Sequence, residues 1–278
     1  MITIFTTLKP PIKFDLFKES QKRAKEEWKR AITYEQHQKD VHIIEENALQ
    51  SWIRLGVEVI LFGDEAHEPG SGALAERLGC RYLPVQRNKW GTPLVGSLLS
   101  EARSHARYDL LCLCNADIVL MDDFKGAVLR TARIRKGKPF VLIGSGYNLD
   151  NPPPLEFGEG WQGRLTEYVK THCGLQSRTG MDFWAHTRQT YKGCDFGPMA
   201  IGRYKWDNCM VALPRNRGVP IVDVTASVVS IRQRDNIKFP RSNAEAQHNM
   251  AWGKARCAGG HLTNAEWVLT KKGLVKKK

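Results

Sequence analysis

Between Glu45 and Gly144 the chain alternates short apolar runs with longer amphipathic stretches, a rhythm that few folds can accommodate. The periodicity predicts helices over Glu45–Leu55, Gly72–Leu78, Pro93–His105 and Asp122–Ile134. Between them it predicts strands over Val57–Phe62, Arg81–Val85, Tyr108–Cys114 and Pro139–Gly144, after an opening strand at Ile2–Thr6. Strands that alternate with helices of about ten residues imply parallel βαβ units with helices on both faces. After Tyr147 the pattern becomes strand-rich and less regular. Strands are expected at Asp182–His186, Pro220–Val224 and Val228–Gln233, and helices at Leu165–His172 and Trp206–Leu213. The expected fold class is therefore α/β, with a mostly parallel central sheet that becomes mixed in the C-terminal half.

In such sheets ligands bind beyond the carboxyl ends of the strands. Three polar breaks fall there: Thr6-Thr7, Gly63-Asp64-Glu65 and Asn115-Ala116-Asp117. The last interrupts "LLCLCNADIVLM", which otherwise reads as a buried strand. Asp117, with Asn115 two residues before it, has the oxygen ligands to hold a hard divalent cation such as Mg2+ or Mn2+ beside a substrate phosphate. Asp also caps helices and closes turns, and the motif alone leaves both roles open.

At 278 residues the chain can bury a sizeable core. One domain is expected, with a charged amphipathic helix at Phe14–Ile32 forming part of an insertion over about 13–43, and a basic tail over 271–278. No window approaches the roughly 18–20 apolar residues of a membrane span, and the start has no secretory pattern. Seven cysteines without a CxxC pair agree with a reducing compartment. A cytoplasmic protein is expected, with Cys112 and Cys114 as packed core thiols. The net charge of +13 attracts anions and points to an anionic partner, although lysine-rich ends are commonly just solvated.

The alternating half, the strand-terminal "NAD", "RNKWGTPLVGSLLSEA", "GMDFWAH" and "GRYKWDNCMV" together resemble the GT-A glycosyltransferases, the nucleotide-diphospho-sugar transferase superfamily. The order of segments is most similar to an uncharacterised bacterial, plant and viral group. The resemblance runs from Ile2 to about Gly273. It implies a Rossmann-like GT-A fold whose residues 1–146 bind a nucleotide-sugar donor, UDP-sugar favoured, and whose residues 147–270 form the acceptor side.

By this resemblance Thr6, Thr7, Lys9 and Pro10 hold the base and ribose, and Asp64 contacts the uracil or ribose. Asn88, Gly91 and Thr92 precede a helix whose N-terminus suits an anion or a sugar hydroxyl, although Thr92-Pro93 is also simply a good helix start. The family's DxD corresponds to Asn115-Ala116-Asp117, with the first acid reduced to an amide, so Asp117 and Asn115 become the metal ligands. Where relatives tend to carry a late-strand histidine, this chain has Ile231-Arg232-Gln233. Arg232 cannot ligate a cation but pairs well with a diphosphate, so dependence on Mn2+ or Mg2+ is weakened. Asp207 resembles the base of inverting enzymes, which takes the acceptor's proton; it also suits a helix first turn. Asp182 is the second catalytic candidate. His186 is assigned no role, and most tryptophans near the motifs (Trp90, Trp161, Trp184, Trp206) are expected to be packed.

Three other functions compete. A nucleotidyltransferase usually carries a Gly-rich loop after the first strand, and "TTLKPP" has none. A non-enzymatic nucleic-acid-binding protein would explain the charge, but acids at the strand ends would repel phosphate. A glycosyltransferase acting on a modified base in phage-type DNA would reconcile the two. The acceptor class, glycan, small molecule or nucleic acid, stays open.

Overall fold

Every residue of β1 (Ile2–Thr7) is buried, and strand alternation sends Ile2 and Ile4 to one face of the sheet and Phe5 to the other. The structure is a computed structural model that describes residues 1–15, 17–18, 32–177, 179–235 and 244–277. Elements are numbered along the chain. β1 pairs in parallel with β2 (Glu58–Phe62) on one side and β4 (Leu110–Cys114) on the other, and β3 (Arg81–Leu83) continues parallel beyond β2. Past β4 the direction reverses, because β8 (Phe183–Thr187) runs antiparallel between β4 and β6 (Val141–Ile143). β9 (Ile221–Asp223) and β11 (Trp267–Thr270) extend the sheet in parallel, and β12 (Gly273–Lys276) closes it antiparallel. The resulting nine-stranded order is β12-β11-β9-β6-β8-β4-β1-β2-β3. The fold is thus the α/β class expected, mostly parallel at first and mixed later.

Helices cover both faces. The Ile2/Ile4 face, which also carries the buried free thiols Cys112 and Cys114, packs against α1 (Tyr34–Arg54), α2 (Ser71–Leu78) and α4 (Asp122–Arg135). The Phe5 face packs against α3 (Val95–His105) and α6 (Trp206–Arg215). A second, three-stranded sheet sits beyond the carboxyl end of β4. Its order is β5 (Ile118–Val119), β10 (Ile231–Arg234), β7 (Tyr147–Asp150), backed by α5 (Trp161–His172).

Several boundaries differ from expectation. α1 begins at Tyr34 rather than Glu45, because Thr33 accepts a hydrogen bond from the Gln36 N–H as its cap and His37, Val41 and Ile44 continue the buried stripe. Residues 34–43 of the expected insertion therefore belong to this helix. Phe14 and Phe17 make ring contacts with Tyr34, while residues 16 and 19–31 of the expected Phe14–Ile32 helix lie outside the described residues. α3 starts at Val95 rather than Pro93, since Pro93 and Leu94 are extended and bridge Arg87 and Ala200.

The expected basic tail is not a free end. Its residues 273–276 form β12, and Lys277 pairs with Asp223 at 3.0 Å. α7 (Ala244–Arg256) and the β11–β12 hairpin have no counterpart in the periodicity analysis. The expectation of wholly reduced cysteines is also corrected. Cys209 on α6 and Cys257 just after α7 form a disulfide, with Cα atoms 4.8 Å apart.

Candidate active site at the carboxyl ends of β1 and β4

The two central strands release their chains at neighbouring points, so Lys9 after β1 and Asn115–Asp117 after β4 are brought together. The Lys9 ammonium lies 3.4 Å from Asp117 Oδ2 and 3.5 Å from Asp235 Oδ2. β8 runs the other way and so starts at this end, delivering Asp182: Asn115 Nδ2 donates to Asp182 Oδ1 at 3.2 Å, and the Asn115 N–H donates to the Asp182 carbonyl at 2.9 Å. β10 adds Arg232, whose charge acts on Asp182, Asp117 and Asp235.

The turn carrying Asp117 is anchored by hydrogen bonds from β10 and α1. Gln233 N–H donates to the Asp117 carbonyl at 2.9 Å, Trp52 Nε1 to the Ile118 carbonyl at 2.8 Å, and the Leu120 N–H to Ser51 Oγ at 3.2 Å. Gln233 is itself held by Asn47 and by the Ile44 carbonyl. Asp117 caps no helix, because α4 starts at Asp122 after Met121. Its carboxylate is 9% exposed, and Oδ1 is buried with no hydrogen-bond partner. One oxygen of this firmly held carboxylate is thus left without a protein partner.

The electrostatics follow from burial and crowding. Burial works against the Lys9 charge, but Asp235, Asp117 and Glu45 outweigh it and hold the ammonium above its ordinary range. Burial likewise opposes Arg232, and Asp182, Asp117 and Asp235 outweigh it. The Asp182 carboxyl is raised by burial, against the pull of Arg232, with Asp117 adding to the rise. Glu45, on α1, accepts the Lys9 N–H at 2.7 Å and is pushed by burial up to about 8. Among the described residues Lys9 and Arg232 thus face Asp117, Asp182 and Asp235, with Glu45 against the Lys9 backbone.

The remaining expected residues lie elsewhere around the sheet edge. The hydroxyls of Thr6 and Thr7 are buried and donate to the Thr7 and Leu8 carbonyls. Pro10 follows Lys9 at the surface edge, and Ala116 is buried inside the Asn115–Asp117 turn. At the end of β2, Asp64 accepts from Arg87 Nε at 2.7 Å and from the His67 ring at 2.8 Å; slight burial raises its carboxyl, but His67 and Arg87 outweigh this and lower it. Asn88 Oδ1 accepts the Trp90 and Thr92 N–H groups, and its Nδ2 donates to Glu245 at 2.7 Å. Thr92 Oγ1 accepts from Arg203, which pairs with Glu245 at 2.5 Å. Gly91 has φ +84°, and a Cβ there would lie 2.8 Å from the His67 ring.

These contacts shape the Asn88–Thr92 loop. The Val95 N–H at the start of α3 is taken by the Met199 carbonyl at 2.9 Å, so this helix start does not present it to an anion. Asp207 sits in the first turn of α6, accepting the Asn208 N–H at 2.8 Å, with its carboxyl raised by burial. Its neighbour Trp206 meets the ring of Trp184 on β8 at 4.7 Å. His186 is buried between Phe5 and Tyr191, bonded to the Thr187 carbonyl and lowered by burial to about 4. Trp184 and Trp206 are packed, while Trp90 is 40% exposed.

Among the described residues no group of three or more His, Cys, Asp or Glu side chains could hold a metal ion. Magnesium and manganese are nevertheless often held by one or two carboxylates plus substrate phosphates. The orphaned Asp117 Oδ1 fits that mode; Asn115, engaged with Asp182 through its nitrogen, has only its amide oxygen to add.

No protein-family model and no curated protein matches the chain. Solved structures do match. A nucleotide-diphospho-sugar transferase from Desulfovibrio desulfuricans G20 aligns over 92% of this chain and 97% of its own, with 10% identity and a TM-score of 0.43. A glucose-1-phosphate thymidylyltransferase from Bacillus anthracis aligns over 91% and 96%, with 11% identity and a TM-score of 0.46. The glucosyl-3-phosphoglycerate synthase of Mycobacterium tuberculosis, solved with Mn2+, UDP and phosphoglyceric acid, aligns over 93% and 78%, with 14% identity and a TM-score of 0.44.

Proposed function

We propose that this protein is a glycosyltransferase that moves a sugar from a nucleotide-diphosphate sugar to an acceptor hydroxyl. The carrying observation is the convergence of Lys9, Asp117 with its unmatched Oδ1, Asp182 and Arg232 at the carboxyl ends of the central strands. Positive groups and a free carboxylate oxygen side by side suit a ligand that arrives as a diphosphate with a cation. The bond to the anomeric carbon breaks through an oxocarbenium-like state, and the departing nucleotide needs its growing negative charge stabilised. Lys9 and Arg232 supply fixed charge for that purpose. A Mn2+ or Mg2+ held by Asp117, with the Asn115 oxygen, would add Lewis-acid neutralisation of the leaving group.

Thr6, Thr7, Pro10, Asp64 and the Asn88–Thr92 loop, on the β1–β2 side, would hold the base and ribose. Asp182 would orient the sugar from the β8 side. Asp207 would be the base that takes the acceptor proton, with its carboxyl raised by burial. UDP is the favoured nucleotide and the acceptor class is left open.

The decisive test is a thermal-shift panel of UDP-, GDP-, dTDP- and CMP-sugars with and without Mn2+. A ligand at 100 times its dissociation constant adds about 2.7 kcal/mol to stability, which raises the melting temperature visibly. At least one nucleotide sugar should do so, and more strongly with Mn2+. No shift with any donor sinks the proposal. Release of pyrophosphate rather than a nucleoside diphosphate during turnover would point instead to nucleotidyl transfer.

A further inference from the structure

The side-chain oxygens of Asn148 and Gln176 are buried without hydrogen-bond partners, and so is Arg232 Nε. These atoms belong to one polar wall. In the small sheet Asn148 on β7 is the register neighbour of Arg232 on β10, and neighbours across a ladder project to the same face. Residues 174–176 run alongside β7: Tyr147 bridges Leu175, the Asn148 N–H donates to the Gly174 carbonyl at 2.9 Å, and the Gln176 N–H donates to the Gly146 carbonyl at 2.8 Å. Tyr147 and Leu175 share one face of this ribbon, so Asn148 and Gln176 share the other. The Gln176 amide also hydrogen-bonds Asp182, and the Arg232 charge reaches Asp182 and Asp117. The wall therefore adjoins the Asp117 cluster.

Two glycines make this arrangement achievable. A Cβ at Gly146 would lie 2.8 Å from the Ser230 carbonyl oxygen, and one at Gly180 would overlap the Gln176 side-chain amide. Backbone and side chain are packed so that Gln176 has a defined position. Its oxygen and that of Asn148 form a pair of unmatched acceptors beside the unmatched N–H donor of Arg232. Such atoms are unfavourable unless a ligand answers them. A phosphate offers no donors to these two acceptors. A ring bearing several hydroxyls offers a donor to each and an acceptor to the guanidinium.

We infer that Asn148 and Gln176 read the free hydroxyls of the transferred sugar, and that the protein is selective for a donor sugar bearing those hydroxyls over its deoxy analogues. The inference rests on the nucleotide-sugar proposal and gives it a sugar class. It is tested by calorimetric titration of UDP-, GDP- and dTDP-glucose, the matching deoxy-glucose donors and the free nucleoside diphosphates. The proteins compared are the wild type, Asn148→Leu, Gln176→Met and Gly180→Ala, the last displacing Gln176 without altering it.

Sites built to bond a hydroxyl discriminate strongly against its loss. The wild type should therefore prefer the glucose donor over at least one deoxy donor by about tenfold or more, and each variant should lose that preference while binding the diphosphate alone as before. Because the preference is a ratio within one protein, a general loss of stability in a variant leaves it unchanged. Equal wild-type affinity for glucose and deoxy donors, or full preference kept in the variants, overturns the inference and leaves the transferase proposal intact. A wild type that binds no nucleotide and no nucleotide sugar overturns both.

Discussion

Three side chains at the Asp117 cluster have separable consequences. Asn115 donates to Asp182 at 3.2 Å, so Asn115→Asp places two carboxylates face to face, and each raises the other's proton affinity. The variant should melt below the wild type without metal and gain more from Mn2+, because two acids now share the ion. An unchanged Mn2+ response in thermal shift would show that Asn115 does not face the cation position. Asp207→Asn keeps the first-turn geometry but removes the base, and turnover should fall by about 10²-fold or more with little change in donor affinity. Full transfer activity would take Asp207 out of that role.

Glu45 links this scale to pH. Burial holds its folded-state pKa at about 8, above its ordinary value of 4.5, so the folded protein keeps a proton that the unfolded chain releases. This contribution to stability is fully present below about pH 4.5, falls as pH rises toward about 8, and is flat above. Glu45→Gln still accepts the Lys9 N–H and cannot ionise. Its melting temperature should exceed that of the wild type at about pH 9 and converge with it near pH 4 to 5. Parallel profiles would mean that Glu45 is ionised in the folded protein throughout.

At the scale of elements, the site depends on α1 gripping the β4–β5 turn. Trp52 is fully buried and bonded to the Ile118 carbonyl. Trp52→Phe removes the donor and part of the ring, with an expected cost of about 1–3 kcal/mol in urea unfolding from the unmatched carbonyl. A stability equal to wild type would mean that another donor replaces the indole. The helix itself was only half visible in the sequence. From Glu45 onward its apolar stripe is regular, but its first turns interleave the buried His37 and Val41 with Lys39 and Asp40, so the pattern assigns them to the insertion over about 13–43 rather than to this helix. By contrast β1, β2 and β4 were found nearly to the residue, since strands buried on both faces produce continuous apolar runs. The start of α3 was misplaced because a Thr-Pro pair fits a helix N-terminus in any context, and only the bridge to Ala200 makes it extended.

For the whole molecule, the disulfide joins α6, which carries Asp207, to the end of α7 across 48 residues. Closing a loop of that length corresponds to about 4 kcal/mol in the chain-entropy description. Reduction, or a Cys209→Ser/Cys257→Ser double substitution, should lower unfolding stability by about 2–4 kcal/mol. Thiol counting on the denatured, unreduced protein should find five free cysteines, those outside the Cys209–Cys257 pair. Seven reactive thiols would remove the bond.

The alternation of apolar runs and amphipathic helices dictated an α/β layering, and the polar breaks at strand ends located the edge where Lys9, Asn115 and Asp117 meet. These features are local in the chain, so periodicity and punctuation reveal them. Asp182 and Arg232 lie far along the chain from Asp117 and reach it because β8 reverses direction and β10 adds to a second sheet. The walls formed by Asn148 and Gln176, the Glu45 contact under Lys9 and the Cys209–Cys257 bond likewise join segments whose order in the chain carries no trace of their adjacency. Strand pairing across long loops is decided by the packing of the two sheets and the helices on them, and burial in that packing is what leaves Asp117 Oδ1 and its neighbours without partners.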